Sequence, residues 1–196
     1  MKAVFLDRDG TINIDTNGYI AKPDEFCLYP FAIEAIKCLN NMGFKVIIVS
    51  NQSGIARGYF TEKDLEIVHN HMLNTFFENN VFIDLILYSP FHPNGIIEPF
   101  NISHNSRKPQ AGMFYEALKK FPIKANDSYM IGDSQIDIEF GKKNGLTSFL
   151  VKTGNGEKLD IIHSTLRPDF IVENILSAAH VIKIIERQKN SEKNIV

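Results

Sequence analysis

Two aspartates one residue apart, Asp7 and Asp9, close the apolar run of VFLDRDGT, with Gly10 directly behind them. Residues i and i+2 of an extended chain point to the same side, so the two carboxylates face one way. Like charges this close repel unless a cation lies between them or one holds a proton. Both conditions suit phosphoryl transfer: one carboxylate attacks phosphorus as a nucleophile, and the other, its pKa raised, protonates the leaving oxygen. On the dyad alone, a strand-end turn with two solvated aspartates is an equal reading, because Asp and Gly are ordinary turn residues.

Three further stretches shift that balance when taken together. Ser50-Asn51-Gln52-Ser53-Gly54 offers a hydroxyl and backbone N–H groups of the kind that hold phosphate oxygens. Gly132-Asp133-Ser134-Gln135-Ile136-Asp137 supplies a carboxylate suited to Mg²⁺, with Asp133 and Asp137 spaced for one helix face; a plain helix N-cap is the competing role for Asp133. Arg107-Lys108-Pro109 brings a lysine able to neutralise charge developing on a phosphoryl group, against the alternative of a solvated surface pair.

These residues need strand ends to carry them. Short β-branched and aliphatic runs predict strands over 2–6, 45–50, 83–88, 128–131 and 148–151, with an edge strand over 169–172. Helical patterns alternate with them over 31–42, 62–78, 112–120, 136–144 and 175–187. Thr61 to Asp64 reads as a capping box, and Gly43 and Gly145 fall where helix C-terminal glycines belong. This alternation predicts an α/β fold, a Rossmann-like parallel sheet with helices on both faces, whose ligands bind beyond the carboxyl ends of the strands. Residues 1–187 are expected to form one domain and 188–196 a polar, frayed tail. The stretch 89–110 is too long for a simple connector and reads as a functional loop.

Composition narrows the partners. With 44% hydrophobic and 22% charged residues, the chain is an ordinary globular protein. A net charge of −2, without a concentrated basic block, argues against nucleic-acid and membrane partners. Two cysteines, Cys27 and Cys38, make no disulfide framework, so a reducing cytoplasm is the expected compartment. A monomer acting on a small molecule is the expected state.

In order and spacing, the four motifs resemble those of the haloacid dehalogenase superfamily of aspartate-nucleophile phosphotransferases, from residue 3 to about residue 151. The resemblance implies Asp7 as nucleophile, Asp9 as general acid and base, and Ser50 and Lys108 as grips on the transferring group. It implies Mg²⁺ held by the Asp7 carboxylate, the Asp9 backbone carbonyl and the Asp133 carboxylate, with Asp137 supporting Lys108 from behind. Neither interval between motifs is long enough for a cap domain, so a capless type is implied, selecting its substrate through loops 12–23, 51–59 and 89–107. Those loops resemble the D-glycero-D-manno-heptose 1,7-bisphosphate 7-phosphatases, whose pattern implies substrate contacts for Asp15, Gly18, Tyr19, Asn51, Gln52, Ser53 and Arg107. Loop packing is the competing role for Tyr19. The chain is one residue longer than that pattern at Thr16–Asn17.

A sugar phosphate is the implied substrate. Histidinol-phosphate phosphatases carry similar motifs, and a catalytically retired phosphate-binding module is the alternative outside enzymes. Retirement should first remove Asp7 or Asp9, and both remain. The family usually carries a cysteine-rich zinc site in the long loop. Here Ser89, Phe91, His104 and Ser106 stand at those positions, so no structural zinc is expected, and packing by Phe91, Ile96, Ile97 and Phe100 is expected to order the loop.

Overall fold

In the computed structural model, which describes residues 1–15, 18–158 and 166–193, the alternation of apolar residues builds a sheet buried on both faces. Val4 and Leu6 of β1 (Ala3–Leu6) and Val46 and Ile48 of β2 (Lys45–Asn51) point into one apolar cluster. It is completed by α1 (Ala32–Asn41), α2 (Glu62–Glu78) and α5 (Ile175–Lys193), through residues such as Ile36, Phe76 and Ile182. Their sequence neighbours Ala3, Phe5, Ile47 and Val49 point the other way, against Met113 and Phe114 of α3 (Gly112–Lys120) and Phe140 of α4 (Gln135–Lys143). Helices therefore cover both faces, as a parallel sheet requires.

β3 (Leu85–Ser89), β4 (Tyr129–Gly132), β5 (Thr147–Val151) and β6 (Phe170–Val172) complete the sheet in the order β3-β2-β1-β4-β5-β6. All pairings are parallel. The strand order reverses between β1 and β4, which opens a crevice at their carboxyl ends. Asp7 leaves β1 at that point, with its N–H donating to the Ile131 carbonyl at 2.9 Å.

Two expectations change. The third strand begins at Leu85, later than predicted, because only the segment from Leu85 pairs with β2 at the sheet edge. The predicted frayed tail is helical through Lys193, and the remaining tail lies outside the described residues, as do Thr16 and Asn17. Side chains pin this extension: Lys189 reaches Asp127 at 3.7 Å and lies over the Tyr129 ring. Gly43 and Gly145 do adopt positive φ at helix ends, and Thr61 and Asp64 form the capping box. Among the described residues no helix is long and apolar enough to cross a membrane.

Candidate active site

The carboxyl ends of β1, β2 and β4 surround a cleft of about 180 Å³. Asp7, Asp9, Ser50, Lys108 and Asp133 line it from the four motifs, and Asp15, Gly18, Asn51 and Arg107 from the loops. Residues far apart in sequence are thus brought to one place by strand order together with the loops that carry Lys108, Arg107 and Asp15.

Lys108 is the hub. Its ammonium, 2% exposed as a residue, donates to Asp7 Oδ1 at 2.6 Å and to Asp137 Oδ1 at 2.5 Å. Burial disfavours this charge, but the Asp137 and Asp7 carboxylates outweigh burial and hold the pKa above its usual value. Asn51 fixes the lysine's backbone, accepting from Lys108 N–H at 2.9 Å and donating to the Lys108 carbonyl at 3.1 Å. Its amide is therefore occupied in shaping the cleft wall.

Asp133 precedes α4 and is not its cap. Ser134 takes that position, with Asp137 completing a capping box, so Asp133 is free to face the cleft. The backbone N–H of Asn155 donates to Asp133 Oδ2 at 2.7 Å. Burial, reinforced by the Asp137 charge, pushes the Asp133 carboxyl up to about 7. Two glycines make room for it: a Cβ on Gly10 (φ +78°) or on Gly154 (φ +58°) would lie 2.2 Å from Asp133 Oδ2. The glycine after the dyad thus serves close approach as well as the turn.

Asp9 departs from expectation. Arg8, fully buried, donates from Nε and Nη2 to Asp9 Oδ1 at 3.0 and 2.8 Å and from Nη2 to Oδ2 at 2.9 Å. Asn13 and Gln52 add donors at 3.0 and 2.8 Å. Burial works to raise this carboxyl, but the Arg8 charge and these hydrogen bonds outweigh it and hold the pKa below its usual range. The raised carboxyl of the pair is Asp7, lifted well above its usual value by burial, against the opposing charge of Lys108. Arg8 Nη1 lies 3.3 Å from Nε2 of His69, a buried α2 residue whose pKa is pushed down to about 4 by burial and the Arg8 charge.

The remaining loop residues divide. Asp15 accepts from Gly18 N–H at 2.8 Å and shapes its loop. Tyr19 packs against Tyr59 in a tilted pair at 4.7 Å between ring centroids, and neither Tyr19, Gln52 nor Ser53 lines the cleft. Gln52 is buried, its amide donating to Asp9 and to Ser50 Oγ at 2.7 Å. Asn155 was missed from sequence; Thr153-Gly154-Asn155-Gly156, directly beyond β5, was the available signal.

The long loop folds the four unusual positions together. Phe91 stacks on His104 at 4.0 Å, His104 Nδ1 meets Ser106 Oγ at 2.8 Å, and Ser106 Oγ donates to Ser89 Oγ at 3.0 Å. Phe100 packs toward Ile55, Phe60 and Leu65, but Ile96 and Ile97 are 75% and 39% exposed. Their assignment as internal packing is corrected, because their backbone N–H groups, both bonded to the Ala56 carbonyl, bind the loop instead.

Asp7, Asp133 and Asp137 place ligand oxygens within 4.8 Å of one another, all buried. Three carboxylates face one lysine, and a dication would offset the excess; the hard oxygen donors fit Mg²⁺.

A family model described as HAD-hydrolase-like matches residues 105–178. The D-glycero-D-manno-heptose-1,7-bisphosphate 7-phosphatase of Chlorobaculum tepidum is 35% identical over 182 residues, covering 90% of this chain and 92% of that protein. The chain belongs to this heptose-bisphosphate 7-phosphatase family, within the haloacid dehalogenase-like hydrolases. Another member, the D-glycero-beta-D-manno-heptose-1,7-bisphosphate 7-phosphatase of Escherichia coli K12, is 42% identical over 153 residues, covering 78% of this chain and 80% of its own. The crystal structure of a D,D-heptose 1,7-bisphosphate phosphatase from B. bronchiseptica, complexed with magnesium and phosphate, matches with a TM-score of 0.82 at 28% identity, over 95% of this chain and 99% of that one.

Proposed function

We propose that the protein is a Mg²⁺-dependent phosphatase that removes the 7-phosphate of D-glycero-D-manno-heptose 1,7-bisphosphate through an aspartyl-phosphate on Asp7. The observation that carries this is the meeting of Asp7, Lys108 and Asp133 in one cleft, with Lys108 2.6 Å from the Asp7 carboxylate. Family membership names the sugar.

Asp7 attacks phosphorus and the alkoxide leaves with a proton from Asp9. Water then attacks the aspartyl-phosphate, Asp9 takes its proton, and inorganic phosphate departs, restoring Asp7. Asp9 is held as a carboxylate by Arg8, Asn13 and Gln52, which is the form that accepts the water's proton; donating first requires exchanging those donors for a proton. Lys108 meets charge on the transferring oxygens, and Ser50 Oγ, oriented by Gln52, is the second grip. Mg²⁺ would be held by the carboxylates of Asp7 and Asp133 and the carbonyl of Asp9, supplying Lewis-acid stabilisation of phosphoryl charge. No structural zinc is proposed.

The test is phosphate release from both anomers of the heptose bisphosphate, histidinol phosphate and fructose 1,6-bisphosphate. A kcat/KM about tenfold or more in favour of a heptose anomer is expected, abolished by Asp7→Asn with the fold intact. Residual activity of Asp7→Asn within tenfold of wild type would overturn the mechanism, and preference for histidinol phosphate would overturn the substrate.

A further inference from the structure

The loop directly beyond β5 holds two segments of the cleft at once. Thr153 Oγ1 donates to the Gly10 carbonyl at 2.6 Å. Two residues on, Asn155 donates twice to Asp133 Oδ2, from its backbone N–H at 2.7 Å and from Nδ2 at 3.2 Å. Among the described residues Asp133 Oδ1 accepts from no donor, so the loop claims one oxygen of that carboxylate and leaves the other free. Between the two anchors Gly154 lies against Gly10: a Cβ on Gly154 would come within 2.6 Å of the Gly10 Cα. Backbone therefore rests on backbone, and only glycine permits it. Tyr29 adds a third tie, its hydroxyl accepting the Gly154 N–H at 3.3 Å while its own N–H donates to the Ile12 carbonyl at 3.0 Å. The anchors fall on the first and fourth motifs, yet Thr153 and Asn155 belong to neither.

We propose that Thr153 and Asn155 form a clasp, two positioning residues that fix the spacing between the Asp9–Gly10 turn and Asp133 and so set how well the site prefers Mg²⁺ to a larger dication. The proposal rests on the metal reading of the cleft, in which the Asp9 carbonyl and the Asp133 carboxylate are ligands. Those ligands come from two strand ends, and the turn that carries one is bonded through Gly10 to the loop that grips the other. Neither Thr153 nor Asn155 is itself a ligand; each acts through the group it holds. Mg²⁺ demands near-ideal octahedral geometry at short distances, so it rewards a fixed spacing, whereas Ca²⁺ accepts longer and less regular contacts. Partners that orient ligands in this way typically contribute about 10–100-fold to metal affinity.

Calorimetric titration of the full chain with magnesium chloride and with calcium chloride tests the clasp in wild type, Thr153→Val, Thr153→Ser and Asn155→Ala. Thr153→Val and Asn155→Ala should each weaken Mg²⁺ binding about tenfold and Ca²⁺ binding about threefold or less, which narrows the preference. Thr153→Ser keeps the hydroxyl and should bind Mg²⁺ as wild type does. Should Thr153→Val fail to fold, Asn155→Ala carries the same prediction, because Asn155 is exposed at the loop and its backbone N–H stays in place. Equal losses on both ions, with a lowered Tm in the absence of metal, would mark a merely structural role and overturn the clasp. Wild-type protein that binds neither ion removes the metal reading and the clasp together. Wild-type binding that all the variants leave intact removes only the clasp.

Discussion

Asp9 is a carboxylate whose character is set by residues far from it in the chain. Its place and type were legible from the i, i+2 spacing, but the direction of its pKa was not. That direction depends on the Gln52 amide 43 residues away and on an arginine that sequence reading leaves as an unremarked link in the motif. Arg8 is in turn held by His69, 61 residues away, whose neutral Nε2 accepts from it. The chain His69–Arg8–Asp9 predicts a division by leaving group. Asp9→Asn should lower kcat/KM, which reads the steps up to departure of the leaving group, roughly a hundredfold or more on alkyl phosphates yet far less on aryl phosphates, whose leaving groups need no proton, while kcat, which includes attack by water, falls on both. His69→Phe should slow alkyl phosphates about tenfold, the scale of one hydrogen bond to a charged group, and His69→Gln, which keeps an acceptor, should restore most of that rate. Steady-state kinetics on the two substrate kinds reads it. Equal losses on both would show His69 to be merely structural.

At the scale of elements, the sheet and helices were legible because period-two and helical patterns survive tertiary packing wherever one face is buried. Ala3 to Leu6 alternate between the two cores as that pattern demands. The long loop was not legible in the same way. Its apolar residues were expected to face inward, but Ile96 and Ile97 are exposed and the order comes from specific pairs: Phe91 on His104, and Ser106 with Ser89. No periodicity marks such contacts. They predict a loop that needs no metal. Protein purified without added metal should contain no stoichiometric zinc, and strong chelation should stop turnover while leaving the Tm nearly unchanged. Phe91→Ala should lower stability by about 1–2 kcal/mol in denaturant titration. One zinc per chain, or a Tm that collapses on chelation, would contradict this account of the loop.

For the whole molecule, the position of the cleft follows from topology. The strand order reverses between β1 and β4, and the β2 and β4 segments that flank β1 deliver Ser50 and Asp133 to the same edge. Motif order along the chain made this site legible from sequence, since three of the motifs end apolar runs and Arg107-Lys108-Pro109 closes the long loop. Asn155 and the His69 brace escaped because their roles arise only when segments distant in sequence meet. The central claim is that this architecture forms a covalent acyl phosphate on one particular carboxylate. Borohydride reduces an acyl phosphate but leaves free carboxylates intact, so quenching turnover with borohydride and sequencing the peptides by mass spectrometry locates the intermediate. Homoserine in place of Asp7, appearing only with substrate and Mg²⁺, is the predicted result. Turnover that leaves Asp7 unmodified, or modification at another residue, would contradict it.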